Sequence, residues 1–332
     1  MKKGIAVAGN ILTDNVKMVE VYPKRGMLAT IKSETLAVGG CVPNVAIDLK
    51  KIDSQLSVKA YGRVGKDYKG EYVVSKMKEN GVEVSCVRTS ETAPTSYSDV
   101  ITIEKTGERT FFHNRGANAE FSYLDVNVEE LDVDIFHLGY IMLLDSMDRI
   151  DENGRTGASI LLEKIKNKGV KTSIDLVSES KGDFRQAVAS SLPFCDYVII
   201  NEVEAGEIVG VSARNPSGSV NDEKVKRIMQ TIINMGVNEK VIVHCPEKGY
   251  ILNKNGKFTC VESKKLPSGF IKGSVGAGDA FCAGMLYSIY NEYEDEFALE
   301  FANLVAISCL MESDSVSGVK SKEEIEKYLQ RK

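Results

Sequence analysis

Short apolar runs rich in β-branched residues alternate along this chain with segments in which apolar residues recur every three or four positions. The runs predict buried strands, and the spaced segments predict helices with one apolar face. This alternation is typical of an α/β protein with a doubly wound, mostly parallel central sheet flanked by helices. The predicted strands are residues 5–8, 57–63, 135–140, 172–175, 197–200 and 241–245.

Helical spacing is clearest in four segments. Pro43 suits the first turn of a helix, and the segment that follows it has a single apolar face. Small residues in the segment 281–289 predict close packing against another helix. The segment 297–310 is apolar nearly all round, as expected of a buried helix. In the helix after Pro43, the apolar face consists of Val45, Leu49 and Ile52. In the fourth predicted helix, it consists of Val225, Ile228, Met229 and Ile232.

Two segments, 16–37 and 96–116, interrupt the alternation and resemble strands joined by turns. Together they predict a small antiparallel sheet inserted into the main domain, where it would cover a site as a lid. Two hairpins without that role are the alternative. We therefore expect a single domain over residues 1–332. Its core is predicted at 1–15, 38–95 and 117–332, and its β lid at 16–37 and 96–116.

Composition narrows the class of protein. A length of 332 residues with 43% hydrophobic and 27% charged residues fits one large globular α/β domain. The net charge of −5 argues against nucleic acid or anionic membranes as partners. The apolar runs are too short to span a bilayer. Seven scattered cysteines lack metal-ligand spacing, so we expect reduced thiols, no zinc site and a cytoplasmic location.

The stretch Gly276-Ala277-Gly278-Asp279 opens a predicted helix that runs to about residue 290. Glycines let backbone N–H groups approach a ligand closely, and a helix N-terminus adds roughly half a positive charge. Phosphate suits such a site. Asp279 would lie beside it as a carboxylate that accepts a hydroxyl proton during phosphoryl transfer. A helix cap without a catalytic role is the alternative.

Two loops near the start of the chain also carry polar residues. Asp14 follows the first predicted strand, and ligands of open α/β sheets gather at the carboxyl ends of strands. Gly39 and Gly40 lead into a helix on which Asn44 is placed to bond a hydroxylated ligand. The alternating donors and acceptors of a sugar fit these residues.

Asn201 and Glu204 follow the predicted strand 197–200 and would share one side of a helical turn. Their oxygens suit Mg²⁺ or its waters, and simple helix capping is the alternative. The chain lacks a Walker A loop and the motifs of protein kinases. It also lacks an early Gly-x-Gly-x-x-Gly, which argues against a dinucleotide oxidoreductase.

These motifs, in this order and together with 62–70, resemble the PfkB family of carbohydrate kinases, which has a ribokinase-like fold. The resemblance covers nearly the whole chain and implies transfer of the γ-phosphate of Mg-ATP to a hydroxyl, commonly a primary one, of a sugar or sugar-like substrate. It implies Asp279 as the base, an anion hole at Gly276, Ala277 and Gly278, acceptor contacts at Asp14, Gly39, Gly40 and Asn44, and nucleotide contacts at Asn201, Lys248, Gly249 and Asn303. It further implies that Asn201 and Glu204 hold Mg²⁺ through water, and that the lid serves as a homodimer contact.

The chain departs from the family pattern in two places. Relatives carry Asp-Thr before the closing glycines, where an aspartate helps to bind a monovalent cation, but this chain has Gly273-Ser274. The resemblance therefore does not extend potassium activation to it. The usual nucleotide loop, Thr-x-Gly-x-x-Gly, is replaced by residues 244–249, where Pro246 lacks an N–H. A nucleoside or inositol kinase of the same fold, or a non-catalytic sugar-binding regulator, remains an alternative.

Overall fold

The computed structural model of the chain describes residues 2–177, 184–267, 269–273 and 275–329. Its strands are β1 (Ile5–Ala8), β2 (Leu12–Val19), β3 (Ile31–Gly39), β4 (Val58–Gly65), β5 (Val87–Ser90), β6 (Ser96–Ile103), β7 (Arg109–Asn114), β8 (Ile135–Ile141), β9 (Lys171–Leu176), β10 (Tyr197–Asn201), β11 (Lys240–His244), β12 (Lys248–Asn253) and β13 (Phe258–Glu262). Its helices are α1 (Cys41–Ile52), α2 (Tyr68–Glu79), α3 (Asp145–Asp148), α4 (Gly157–Asn167), α5 (Phe184–Ser191), α6 (Glu202–Val209), α7 (Asp222–Asn234), α8 (Ala277–Tyr290), α9 (Asp295–Cys309) and α10 (Lys322–Leu329).

The main sheet, counted over those residues, has nine strands in the order β13-β12-β11-β10-β9-β8-β1-β4-β5. The strands from β11 to β5 pair in parallel, which confirms the predicted doubly wound sheet. The six strands predicted from the sequence all lie in it, with ends within 2 residues of those expected. The sequence did not predict β5, nor β12 and β13, which form an antiparallel hairpin at one edge.

Both faces of the main sheet are buried, as the continuous apolar strands predict. In β1, Ala6 and Ala8 pack into the core shared with α4 to α7, whereas Ile5 and Val7 pack into the core shared with α1, α8 and α9. In a parallel sheet covered by helices on both sides, the loops at the carboxyl ends of the strands form one edge of the sheet. Ligands of such sheets bind there.

A separate small sheet holds β2, β3, β6 and β7 in the order β3-β2-β6-β7. The two interrupting segments therefore meet, as expected. The expectation of a purely antiparallel sheet is wrong, because β2 and β6 run parallel where the two segments join. The strands also extend further than the predicted segments, since β2 begins at Leu12 and β3 ends at Gly39. The small sheet thus contains Asp14 itself, on β2, and its strand β3 runs directly into Gly40.

The described helices include none that is both long and apolar enough to cross a membrane.

Helices α8 and α9 pack closely against each other, as the small residues of α8 predict. A Cβ on Gly284 would lie 2.7 Å from the Cα of Ala302. The backbones of the two helices can approach this closely because position 284 has no side chain.

We expect Gly284→Val to lower the free energy of unfolding by about 1–3 kcal/mol, because the added side chain overpacks this contact. Urea denaturation followed by circular dichroism measures the change. Glu296→Ala, at an exposed position of α9, is the matched control and should leave stability nearly unchanged. Equal stability of the wild type and Gly284→Val would show that the two helices are less tightly packed than described.

Candidate active site

The N-terminus of α8 is shaped by a close contact between two loops. Gly276 caps the helix with φ of 80°, a left-handed conformation that favours glycine. A Cβ at this position would lie 2.6 Å from the Cβ of Ser315. The first N–H groups of a helix have no acceptor within the helix, so those of Ala277 and Gly278 are available to an anion.

Asp279 lies in the first turn of α8 and is only 6% exposed. Asn44 Nδ2 donates a hydrogen bond of 2.8 Å to its Oδ2, and the hydroxyl of Tyr140 donates another of 3.0 Å to the same oxygen. Burial, with a contribution from the charge of Asp175, raises the pKa of Asp279 from 3.8 to about 7, although both hydrogen bonds oppose the rise. Because both donors approach Oδ2, Oδ1 is the oxygen that can accept a further proton.

Tyr140 was missed by reasoning from the sequence. Its φ of 55° is unusual for a residue with a side chain, and it lies near the carboxyl end of β8. Its N–H donates to Oδ1 of Asp175, and Oδ2 of Asp175 lies 3.3 Å from Nε2 of the buried His137. The strained backbone is therefore held in place by a buried polar network. The one signal in the sequence was a polar aromatic residue at the end of a predicted strand.

Asn44 links the two glycine loops of the site. Ser315 Oγ donates a hydrogen bond of 2.8 Å to Asn44 Oδ1, so the Nδ2 of the same amide is directed at Asp279. Gly40, with φ of 87°, caps α1 just before it. The structure thus brings Asn44 to the base predicted from a motif more than two hundred residues away.

Asp14 and Gly39 form the neighbouring part of the site. Asp14 lies within β2 of the small sheet, not at the carboxyl end of β1 as expected from the sequence. A Cβ on Gly39 would lie 2.5 Å from Oδ2 of Asp14, so only glycine leaves room for this carboxylate. Burial, and then the charge of Asp279, raises the pKa of Asp14 to about 7, while Ser98 and Arg109 oppose the rise.

A cavity of about 510 Å³ lies between the small sheet and the loops around α8. Cavities of this size hold small organic ligands. The wall from the small sheet includes Asp14 and Arg109, and the opposite wall includes Val275 and Ser315. The cavity therefore reaches Ser315, which bonds Asn44, and we call it the acceptor cavity below after the role proposed for it.

Asn201 and Glu204 form a reciprocal cap at the start of α6. Asn201 Oδ1 accepts hydrogen bonds from the N–H groups of Val203 and Glu204, and Glu204 Oε2 accepts one of 3.0 Å from the N–H of Asn201. These contacts match the capping alternative. They also place two oxygen-bearing side chains at the carboxyl end of β10, where Asn201 is in register with His244 at the end of β11.

His244 lies next to the first turns of α8, close to Gly278 of the predicted anion hole. Its ring packs against Phe281 with centroids 4.7 Å apart and the ring planes tilted by 32°, and its Cε1 would lie 3.6 Å from a Cβ on Gly278. Burial lowers the pKa of His244 to about 4, so the imidazole is neutral at pH 7. Sequence reasoning noted this residue only as part of an altered loop.

The other predicted nucleotide residues separate into two groups. Gly249 and Asn303 meet, since a Cβ on Gly249 would lie 3.5 Å from Oδ1 of Asn303. The Nδ2 of Asn303 is buried and has no hydrogen-bond partner among the described residues. Lys248 is directed elsewhere, because its ammonium group forms an ion pair of 2.8 Å with Asp222 at the start of α7.

Comparison with known proteins identifies the family. The model of the pfkB family carbohydrate kinases matches residues 2–320. The chain belongs to this family. It is 24% identical to a ribokinase of Schizosaccharomyces pombe, over 97% of this chain and 96% of that protein. It is also 24% identical to fructokinase-2 of Oryza sativa subsp. japonica, over 84% of this chain and 81% of that protein.

The fold is likewise that of the ribokinases. The solved structure of Arabidopsis thaliana ribokinase complexed with ribose and ATP matches with a TM-score of 0.82 at 20% identity, over 99% of both chains. The doubly wound sheet and the smaller sheet described above are thus shared with a pfkB-type kinase fold.

Two parts of the structure are relevant to cation binding: the segment 273–274 and a buried cluster of potential metal ligands. Gly273 packs against Glu312 and Ser313, and Ser274 lies outside the described residues. Beneath Tyr140, ligand atoms of Cys41, His137 and Asp175 lie within 4.8 Å of one another. Burial raises the pKa of the Cys41 thiol well above its usual value, which disfavours the thiolate that a metal requires. We interpret this group as a buried structural cluster in which His137 and Asp175 interact.

We expect Tyr140→Phe to raise the pKa of Asp279 above its value of about 7 in the unchanged protein. The phenol hydrogen bond favours the ionised carboxylate, so its removal favours the protonated form. The Asp279 carboxyl ¹³C signal, followed against pH in aspartate-labelled protein, measures the shift.

Tyr68→Phe is the control, because that side chain is exposed and should not move the titration. An Asp279 pKa that is the same in Tyr140→Phe as in the wild type would rule out a significant hydrogen bond from Tyr140.

Proposed function

We propose that this chain is an ATP-dependent sugar kinase that transfers the γ-phosphate of Mg-ATP to a hydroxyl, primary by preference, of a sugar or sugar-like acceptor. The observation that carries the proposal is the position of Asp279. It is a buried carboxylate in the first turn of α8, beside N–H groups suited to an anion, and hydrogen bonds through Asn44 link it to Ser315 in the wall of the acceptor cavity. A phosphoryl group and a hydroxyl can therefore meet within reach of one base.

Asp279 acts as the general base in this mechanism. Its Oδ1 accepts the hydroxyl proton as the acceptor oxygen attacks the γ-phosphorus of ATP, while the N–H groups of Ala277 and Gly278 stabilise the negative charge. Asn44 and Tyr140 hold Oδ2 and so fix the direction of Oδ1. Because the pKa of Asp279 is about 7, the ionised fraction of the base grows as the pH rises through neutrality.

Asp14 and the backbone of Gly39 and Gly40 hold the acceptor. Carboxylates bind pairs of sugar hydroxyls well, since each oxygen accepts hydrogen bonds. The contact between Gly39 and Asp14 supports this role, because it keeps the carboxylate next to the path from the cavity to Asp279. Their position on and beside the small sheet also supports the proposal that this sheet acts as a lid.

ATP binds on the other side of α8 in this proposal. Gly249 and Asn303 form a surface for the nucleotide, and the buried Nδ2 of Asn303 supplies a donor that lacks a described partner. Asn201 and Glu204 fit Mg²⁺ held through water, because oxygen donors at a strand end are the type it binds. When bound, Mg²⁺ neutralises charge on the transferring phosphate. Lys248 contributes less than expected, since Asp222 engages it.

Related functions remain as rivals to be tested. A nucleoside or inositol kinase would use the same base and anion hole with a different acceptor. A non-catalytic sugar-binding regulator would keep the acceptor cavity but not the phosphate chemistry, and Pro246 in the nucleotide loop is the feature that favours it. ATP turnover with a panel of sugars, nucleosides and inositol separates the three. The seven free cysteines support a reducing, cytoplasmic location.

We expect Asp279→Asn to lower kcat by about 10²–10⁴-fold, the usual contribution of a positioned general base. A coupled assay of ADP release with the best acceptor measures kcat, and circular dichroism checks the fold. Asp132→Asn, at an exposed surface position, is the matched control. Undiminished kcat in Asp279→Asn would remove this residue from the role of base.

The lid also supports a homodimer. Several of its apolar side chains are strongly exposed, including Leu28 at 88%, Met27 at 70% and Phe111 at 58%. Large apolar side chains exposed on one substructure favour its use as a protein interaction surface. We therefore propose that two copies associate through their lids.

We expect the wild type to show twice the monomer mass in size-exclusion chromatography with light scattering, and Leu28→Asp to shift it towards the monomer. A charge in an apolar interface is costly because it loses its hydration without gaining a partner. Leu124→Asp, at a position 77% exposed but outside the lid, should leave the mass unchanged. A wild type that is monomeric at micromolar concentration contradicts the proposed dimer.

A further inference from the structure

Two polar side chains of the small sheet face the acceptor cavity without described partners. Arg109 on β7 stands directly opposite Thr102 on β6, so both side chains project from the same face of the sheet. Thr102 is only 5% exposed, and its Oγ1 has no hydrogen-bond partner among the described residues. The Nη1 of Arg109 is also buried and, in the same part of the chain, has no partner. Both residues line the cavity.

Other charged groups of the cavity wall already have partners, in contrast to Arg109. Glu104 forms an ion pair of 3.1 Å with Lys32, and Lys272 lies 3.5 Å from Glu312. Asp314 accepts hydrogen bonds from two backbone N–H groups of the turn that follows it. A buried guanidinium nitrogen without an acceptor is costly in a folded protein, and an acceptor supplied by a ligand removes that cost.

Asp14 does not fill this need. Burial lowers the pKa of Arg109 and the charge of Asp14 opposes that shift, but the structure describes no hydrogen bond between the two side chains. In the register of the sheet, Arg109 and Thr102 share a row with Met18, four residues beyond Asp14 on β2. Four residues of strand span about 13 Å. The distance between the charged groups of Asp14 and Arg109 is shorter than this where the long arginine side chain extends towards Asp14. One end of the cavity thus has the carboxylate of Asp14, which suits hydroxyl groups. The other end has the guanidinium of Arg109, which lacks an acceptor for its buried Nη1.

We propose that the phosphoryl acceptor carries an anionic group, a carboxylate or a phosphate, which binds Arg109 and Thr102 at the end of the acceptor cavity remote from Asp279. The inference rests on the proposed function in taking this cavity as the acceptor site. Arginine binds carboxylate and phosphate oxygens with two parallel hydrogen bonds, and the threonine hydroxyl adds a third donor. The substrate class is then sugar acids or sugar phosphates, with the reacting hydroxyl directed at Asp279.

Isothermal titration calorimetry without nucleotide tests the inference independently of turnover. The carboxylate probes are gluconate and ribonate, the phosphate probes are ribose 5-phosphate and fructose 6-phosphate, and the neutral probes are ribose and fructose. We expect the wild type to bind at least one anionic probe on the order of 100-fold more tightly than the neutral probes, as charge-assisted hydrogen bonds to a buried site provide. The class of anionic probe that binds more tightly shows whether the anionic group of the acceptor is a carboxylate or a phosphate.

Arg109→Met should abolish this preference, leaving anionic and neutral probes within about threefold of each other, because the charge-assisted hydrogen bonds are lost. Thr102→Val keeps the shape and burial of the side chain, and should weaken anion binding about tenfold by the loss of one donor. This second variant decides the matter if Arg109→Met fails to fold. Arg88→Met, at an exposed position on β5, is the matched control and should bind like the wild type.

Equal binding of neutral and anionic probes by the wild type, or an unchanged preference in Arg109→Met and Thr102→Val, would overturn the inference. Measuring phosphorylation of the same compounds distinguishes failure of the anion-site inference from failure of the proposed kinase function. A protein that binds an anionic probe through Arg109 but phosphorylates no member of the panel contradicts the kinase while supporting the anion site. A protein that phosphorylates neutral sugars alone, with or without Arg109, supports the kinase and removes the anion site.

Discussion

The burial of one carboxylate, that of Asp279, is the constraint on which the rest of the site depends. A buried charge without partners costs far more than a folded protein can tolerate, so the surroundings must supply donors. Asn44 and Tyr140 supply two hydrogen bonds, and the N-terminus of α8 adds its partial positive charge. The charge of Asp175 works against them and helps to keep the pKa near 7. The carboxylate is therefore poised between its two protonation states.

The network that achieves this balance requires a strained backbone. Tyr140 and Met142 both have positive φ values, at a cost of order 1–3 kcal/mol for each such residue. The buried contact between Asp175 and the N–H of Tyr140 holds the first of them in place. Strain of this kind persists where the surrounding structure overdetermines it, as at many active sites. Here the strain places a phenol hydroxyl where no regular strand would place it.

The sequence predicted six strands of the main sheet, four of the helices and the candidate residues on the glycine loops because local patterns indicate them. Apolar runs and helical spacing reveal burial, and glycines before helices reveal where backbone must approach a ligand. Relations between distant segments were not visible in this way. The parallel pairing of β2 with β6, the hydrogen bond from Tyr140 to Asp279 and the ion pair between Lys248 and Asp222 each join residues that no local pattern connects. The capping of α6 shows a further limit, since Asn201 and Glu204 satisfy a structural and a functional interpretation with the same atoms.

The direct continuation of β3 into α1 has a mechanical consequence. The strand ends at Gly39, Gly40 caps the helix, and Asn44 follows within its first turn, with no flexible linker between them. A movement of the small sheet would therefore also move the start of α1. Such a movement would displace Asn44, whose amide donates a hydrogen bond to Asp279. An acceptor that shifts the small sheet would in this way also reposition the side chain that orients the base.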